Sequence, residues 1–200
     1  LGLYLTGHPF DQYEKEVRRF APNSIANLKS SRSRTTVVGL VVAIRVMKNK
    51  RGQTMCFVTL DDRTARTEAT LFSDTYDEFR DVIVKDTIVA VEGVVSLDEY
   101  SGNLKLRVSS VQSMISARER HANCLELKVE RSHFKNGFVA SLRDTLSPHK
   151  QGACKVALKY RTDEVESVLE LGEQWRISPA DEVIHELEFL IGKERVNLIY

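Results

Sequence analysis

Two hundred residues, 42% hydrophobic and 28% charged, describe a globular protein with room for one large domain or two small ones. A net charge of +1 excludes little by itself; no apolar run approaches the roughly 20 residues of a membrane helix and no signal peptide is visible, so no membrane is expected. The chain opens on Leu1, not Met, inside an apparent motif, and is expected to be a piece of something longer.

Residues 1–10 start apolar and end in a turn, since Pro9 disfavours helix at His8. Residues 11–20 read as a short amphipathic helix with Tyr13, Val17 and Phe20 at helical spacing, stopped by Ala21-Pro22-Asn23-Ser24. A polar, basic stretch over 29–34 then delivers the chain to a β-branched run, 37–47, too rich in Val and Ile for a comfortable helix. A loop over 48–53 turns at Gly52, and strands over 54–61 and 66–72 follow. Residues 73–79 look helical, with Ser73 as N-cap and Asp74, Asp77 and Glu78 in the helix. Strands over 87–97 and 104–111 complete the set. Five strands with a helix between the third and fourth is the order of an OB-fold barrel, whose usual partners are single-stranded nucleic acids.

Beyond it, 112–122 has helical propensity. A strand is predicted over 124–129, a helix over 134–146, strands over 154–161 and 165–171, a helix over 178–191 and a strand over 195–200. Ser178 is the expected N-cap of the last helix, with Pro179 at its first position and Gly192 past its end. The order β-α-β-β-α-β is the split ferredoxin-like pattern. The fold class is therefore α+β, mostly β: a five-stranded OB-fold barrel followed by a small βαββαβ (ferredoxin-like) domain. The divisions are a helical lead-in over 1–36, the barrel over 37–111, a helical connector over 112–123 and a C-terminal domain over 124–200.

No catalytic centre is legible. The five histidines are scattered, and GxSxG, HExxH and P-loop motifs are absent. Asp61-Asp62 sits where one strand turns into the next, and such pairs cap turns. Cys56, Cys124 and Cys154 lack ligand spacing and read as small buried hydrophobes in a reducing setting. No metal or cofactor is expected. Binding is better supported. Lys48, Lys50 and Arg51 cluster in the first inter-strand loop, where phosphates can be neutralised. Alternation on the second strand separates Cys56, Val58 and Leu60 from Phe57; on the third it separates Thr67, Ala69 and Leu71 from Arg66, Glu68 and Phe72. Phe57 and Phe72 are then placed to stack on bases, with Arg45, Arg66, Lys105 and Arg107 adding positive charge. From Val17 to Leu60 the chain carries basic residues and no acidic one, whereas beyond Arg161 acids dominate, which suggests two different partners.

Leu1-Gly2-Leu3-Tyr4-Leu5-Thr6-Gly7-His8-Pro9 resembles the segment that closes the polymerase portion of bacterial DNA polymerase III alpha subunits. Gly39-Leu40-Val41-Val42, Lys50-Arg51-Gly52, Thr59-Leu60-Asp61-Asp62, Leu71-Phe72, Gly93-Val94-Val95-Ser96 and Trp175-Arg176-Ile177-Ser178-Pro179 are similar to theirs as well. The resemblance implies a barrel associated with single-stranded template and a C-terminal domain that docks the tau subunit of the clamp loader, in a cytoplasmic replisome with its other subunits. It also implies that the polymerase, with its magnesium-binding aspartates, lies upstream of Leu1, so these residues are expected to be non-catalytic. Trp175, Leu187, Leu190 and Ile191 are the candidates for the tau contact, though core packing competes for them. The rival reading is an OB-fold scaffold that docks protein and touches no DNA.

Overall fold

A long first strand, bent to serve two neighbours, closes the barrel. The computed structural model describes residues 8–98, 102–134, 137–162 and 166–200. Most of the first motif (1–7), the turn residues 99–101 and the acids Asp163 and Glu164 lie outside the described residues. Two units divide the chain, 1–114 and 115–200.

In the first unit, helix α1 (Glu14–Phe20) precedes strand β1 (Arg34–Lys48). The amphipathic helix expected over 11–20 is thus split, Pro9–Gln12 forming a separate single turn with Pro9 at its start. Strand β1 pairs antiparallel with β4 (Ile88–Leu97) through its first half and with β2 (Thr54–Asp61) through its second, with an irregularity between Val41 and Ala43. Gly39 lies at the changeover, where an added Cβ would press at 3.2 Å on the Asp61 carbonyl. Strand β3 (Arg66–Phe72) pairs antiparallel with β2 and parallel with β5 (Leu104–Ser113), which completes the closed order β1-β2-β3-β5-β4. Inward alternation holds: Cys56, Val58, Leu60, Ala69, Leu71, Val91 and Leu106 fill the core. Each buried valine or leucine among them stabilises by about 1.5–3 kcal/mol. Helix α2 (Ser73–Phe79) lies against β2, β3 and β5, with Tyr76 and Phe79 on the core. Ser73 is its first residue and not its cap; Phe72 holds that position in extended backbone and no side chain caps the helix.

In the second unit, helix α3 (Met114–His121) leads to strand β6 (Cys124–Glu130), helix α4 (Phe138–Leu146), strands β7 (Lys150–Arg161) and β8 (Glu166–Glu170), helix α5 (Asp181–Ile191) and strand β9 (Val196–Ile199). Phe138, Leu142 and Leu146 on α4, and Val183, Leu187 and Ile191 on α5, recur every four residues and pack with Leu125, Leu127, Val156 and Leu158 of the sheet. The succession of elements is the expected one, but the neighbours differ. The sheet order is β8-β7-β6-β9, with β6 and β7 directly paired and parallel, so no strand splits them as in a ferredoxin-like sheet. The reason is polarity. Every residue of β8 is exposed, whereas β7 buries Cys154, Val156, Ala157 and Leu158, so β7 takes the interior place and β8 the edge.

Helix α5 begins three residues later than expected, after Ala180, and Ser178 does not cap it. Its N–H is drawn instead to the carbonyl of His149, while Ile177 bridges to Lys150 and Cys154. Arg118 of α3, 3% exposed, donates to the Pro179 carbonyl and to Asp181 at 2.7 Å, tying α3 to the start of α5. Cys56 and Cys154 are buried and burial pushes both thiols up to about 11, whereas Cys124 is only half-buried, because its phase on β6 is opposite to that of Leu125.

Candidate functional site

The outer face of β1, β2, β3 and β5 gathers aromatic rings and cations in rows. Directly paired residues point the same way, and the register runs Arg45–Phe57–Thr70–Arg107 in one row and Thr59–Glu68–Lys105 in the next. Phe72 stands beside them, opposite Met55. The Arg45 guanidinium lies 4.8 Å from the centre of the Phe57 ring and the Arg107 guanidinium 5.1 Å from that of Phe72. Each is a cation-π pair of about 0.5–1 kcal/mol at an exposed site. Phe57 is half-buried and Phe72 exposed, so both rings keep surface toward solvent. Arg107 has no acidic partner among the described residues.

Other cations on this face are engaged. Arg66 donates to Asp61 at 2.8 Å, and Lys105 meets Asp98 at 2.6 Å. Burial opposes ionisation of Asp61, but the Arg66 hydrogen bond, the Arg63 N–H and the nearby His8 and Arg66 charges hold its carboxyl below its ordinary value. The Asp98 hydrogen bond raises Lys105, which keeps it charged. Arg45, Thr59, Arg66, Glu68 and Lys105 line a groove of about 820 Å³, with Ile25 and Leu28 of the lead-in along its wall.

Of the loop cations, Lys48 is turned from this face. Lys48 pairs with Thr54 in the phase of Val46 and Cys56, opposite to that of Arg45 and Phe57. Lys50 and Arg51 occupy the exposed tip of the hairpin, where Asn49 accepts from the N–H groups of Arg51 and Gln53. The expected place of Lys48 beside the aromatic face is therefore corrected: strand alternation turns it away. The row that flanks the groove is made by Arg45, Phe57 and Arg107 instead.

Asp61 and Asp62 do hold the turn, and Asp62 does more. Its carboxylate accepts the N–H groups of Thr64, Ala65 and Ile25 and faces Arg18 at 3.4 Å, so one buried side chain fastens the lead-in to the barrel. Among the described residues no three of His, Cys, Asp and Glu gather as a metal site requires.

On the second unit, two of the four candidates for partner contact are corrected. Leu187 is 0% and Ile191 5% exposed, because the four-residue spacing aims both at the sheet. Leu190 is partly buried against the same core, and the half-buried Trp175 carries the Lys150 ammonium 3.6 Å from its ring centre. The outward face of α5 presents Glu182, His185, Glu186 and Phe189, whose ring is 97% exposed. The same helical spacing that buries Val183, Leu187 and Ile191 marks Phe189 as the outward apolar residue.

Residues 35–114 match the family model described as an OB-fold nucleic acid binding domain, and residues 141–192 match that of the DNA polymerase III subunit alpha C-terminal domain. The whole chain is 46% identical to the DNA polymerase III subunit alpha of Pseudomonas fluorescens and 44% identical to that of Pseudomonas aeruginosa, over 200 residues in each case. It spans 17% of the length of those curated relatives. Among solved structures, the second OB-fold domain of replication protein A from Methanococcus maripaludis is 25% identical, with a TM-score of 0.37, and covers 46% of this chain and 93% of that one.

Proposed function

We propose that this chain, homologous along its whole length to part of the bacterial DNA polymerase III alpha subunits, holds single-stranded template DNA on its barrel and docks the clamp-loader tau subunit through its C-terminal unit. These residues bind rather than catalyse, and nucleotide transfer with its magnesium belongs to other parts of a full-length cytoplasmic polymerase. The observation that carries the DNA reading is the pair of arginine-flanked rings, Phe57 with Arg45 and Phe72 with Arg107, on one face of a closed barrel. Bases stack on such rings without regard to sequence, and the guanidinium groups meet the phosphates. For tau, the support is the acidic outer face of α5, with the exposed Phe189 in its last turn.

Titration of a fluorescent oligonucleotide at several salt concentrations tests the first half. Phe57→Ala should cost about 1–3 kcal/mol of binding. Arg107→Ala should weaken binding and lower the slope of log affinity against log salt by about one. The second reading, a protein scaffold, is favoured by the acids that already occupy Arg66 and Lys105. No binding at low salt would select it.

A further inference from the structure

Glu68 is the anomaly of the barrel face. It stands in the middle of β3, between Thr59 of β2 and Lys105 of β5, where a surface for a polyanion has least use for a carboxylate. Its two oxygens are divided: Oε2 lies 3.7 Å from Arg45 Nη2 and Oε1 3.9 Å from Lys105 Nζ. Both separations exceed the 2.7–3.2 Å of a hydrogen bond. The pairs at Asp61–Arg66 (2.8 Å) and Asp98–Lys105 (2.6 Å) are, by contrast, charge-assisted hydrogen bonds. Arg45 is thus held loosely and Lys105 is shared, with both cations facing the groove. A carboxylate with one oxygen toward each of two cations repeats the arrangement that a phosphodiester makes with its two unesterified oxygens.

The geometry points to Glu68 as the residue that limits the affinity of this face, an internal anion occupying the place of a backbone phosphate between Arg45 and Lys105. The inference rests on the reading of the face as a single-strand site. An arriving phosphate displaces Glu68 from both cations, and each exchange offsets part of the binding. The consequence is a hold weak enough to let template slide, as a moving polymerase requires.

The test is oligonucleotide titration of the whole chain against Glu68→Gln, which keeps the size and removes the charge, and Glu68→Thr, a good strand former. Both should bind about threefold to tenfold more tightly at low salt, the range set by two exposed ion pairs. The salt slope should steepen by about one, because removal of the carboxylate raises by one the net charge that meets the phosphate, a readout that altered packing alone does not move. In an Arg45→Gln, Lys105→Gln background the same Glu68→Gln change should alter affinity by less than about twofold, because the coupled partners are gone. Wild-type binding with no gain in either variant, or an equal gain without the two cations, overturns the role of Glu68 alone. Absence of binding by wild type and variants overturns the single-strand reading together with it.

Discussion

Asp62→Asn is the sharpest perturbation of the lead-in. The Asp62 side chain is 1% exposed, and each of its oxygens is committed: Oδ1 to the N–H groups of Thr64 and Ala65 and the Thr64 hydroxyl, Oδ2 to the Ile25 N–H at 2.9 Å and to Arg18. Asparagine has one oxygen and one NH2 group, so in either orientation a donor faces donors. With the oxygen kept on the turn, the buried Ile25 N–H loses its acceptor, at about 1–3 kcal/mol. Loss of the Arg18 pair, which is partly solvated, adds up to about 1 kcal/mol. The sum of about 1–4 kcal/mol corresponds to a fall of roughly 5–25 °C in the barrel's melting temperature. Thermal unfolding followed by circular dichroism reads the shift, and hydrogen exchange at the Ile25 amide reads the cause. A loss below about 1 kcal/mol, with Ile25 still protected, refutes the reasoning; the apolar contacts of Ile25 and Leu28 would then suffice to hold the lead-in.

Two further outcomes are expected in the second unit. An alanine at Gly152 would drive its Cβ into the backbone of Ile177, so Gly152→Ala should destabilise the C-terminal unit by about 2 kcal/mol or more while the barrel transition stays in place. Denaturant unfolding with separate probes for the two units checks this, and an unshifted C-terminal transition counts against the close approach. Phe189→Ser should change stability by less than about 0.5 kcal/mol, since the ring is exposed, yet weaken tau about tenfold in a pull-down titration. Leu187→Ala should do the reverse and cost about 2–5 kcal/mol of stability as a core truncation.

The barrel was legible because its signals are local. Alternation and turn residues bound β2, β3 and α2 to the residue, and the inward set Cys56, Val58, Leu60, Ala69 and Leu71 follows from period two alone. Features set at a distance were not. Ser178 has the chemistry of an N-cap, but His149, far back in sequence, claims its backbone, and α5 starts later. Likewise, βαββαβ is written in the succession of elements, whereas the strand order depends on which strand can bear burial on both sides. The all-exposed Glu166–Glu170 strand cannot, and the split arrangement fails on that ground.

The candidate site divides along the same line. That Phe57 and Phe72 face outward is a local statement. That Arg107 covers Phe72, and that Lys105 meets Glu68, depends on the parallel pairing of β3 with β5, which no turn connects and no local pattern announces. Without that pairing Glu68 is one more outward acid on a soluble strand. With it, the same carboxylate sits between two cations in the groove, and its charge opposes the ligand those cations attract. Composition counts Arg45, Lys105 and Glu68 as two positives and one negative; the register decides that the negative is shared by both positives, and on the proposed reading the face then holds a strand less tightly than its cations alone dictate.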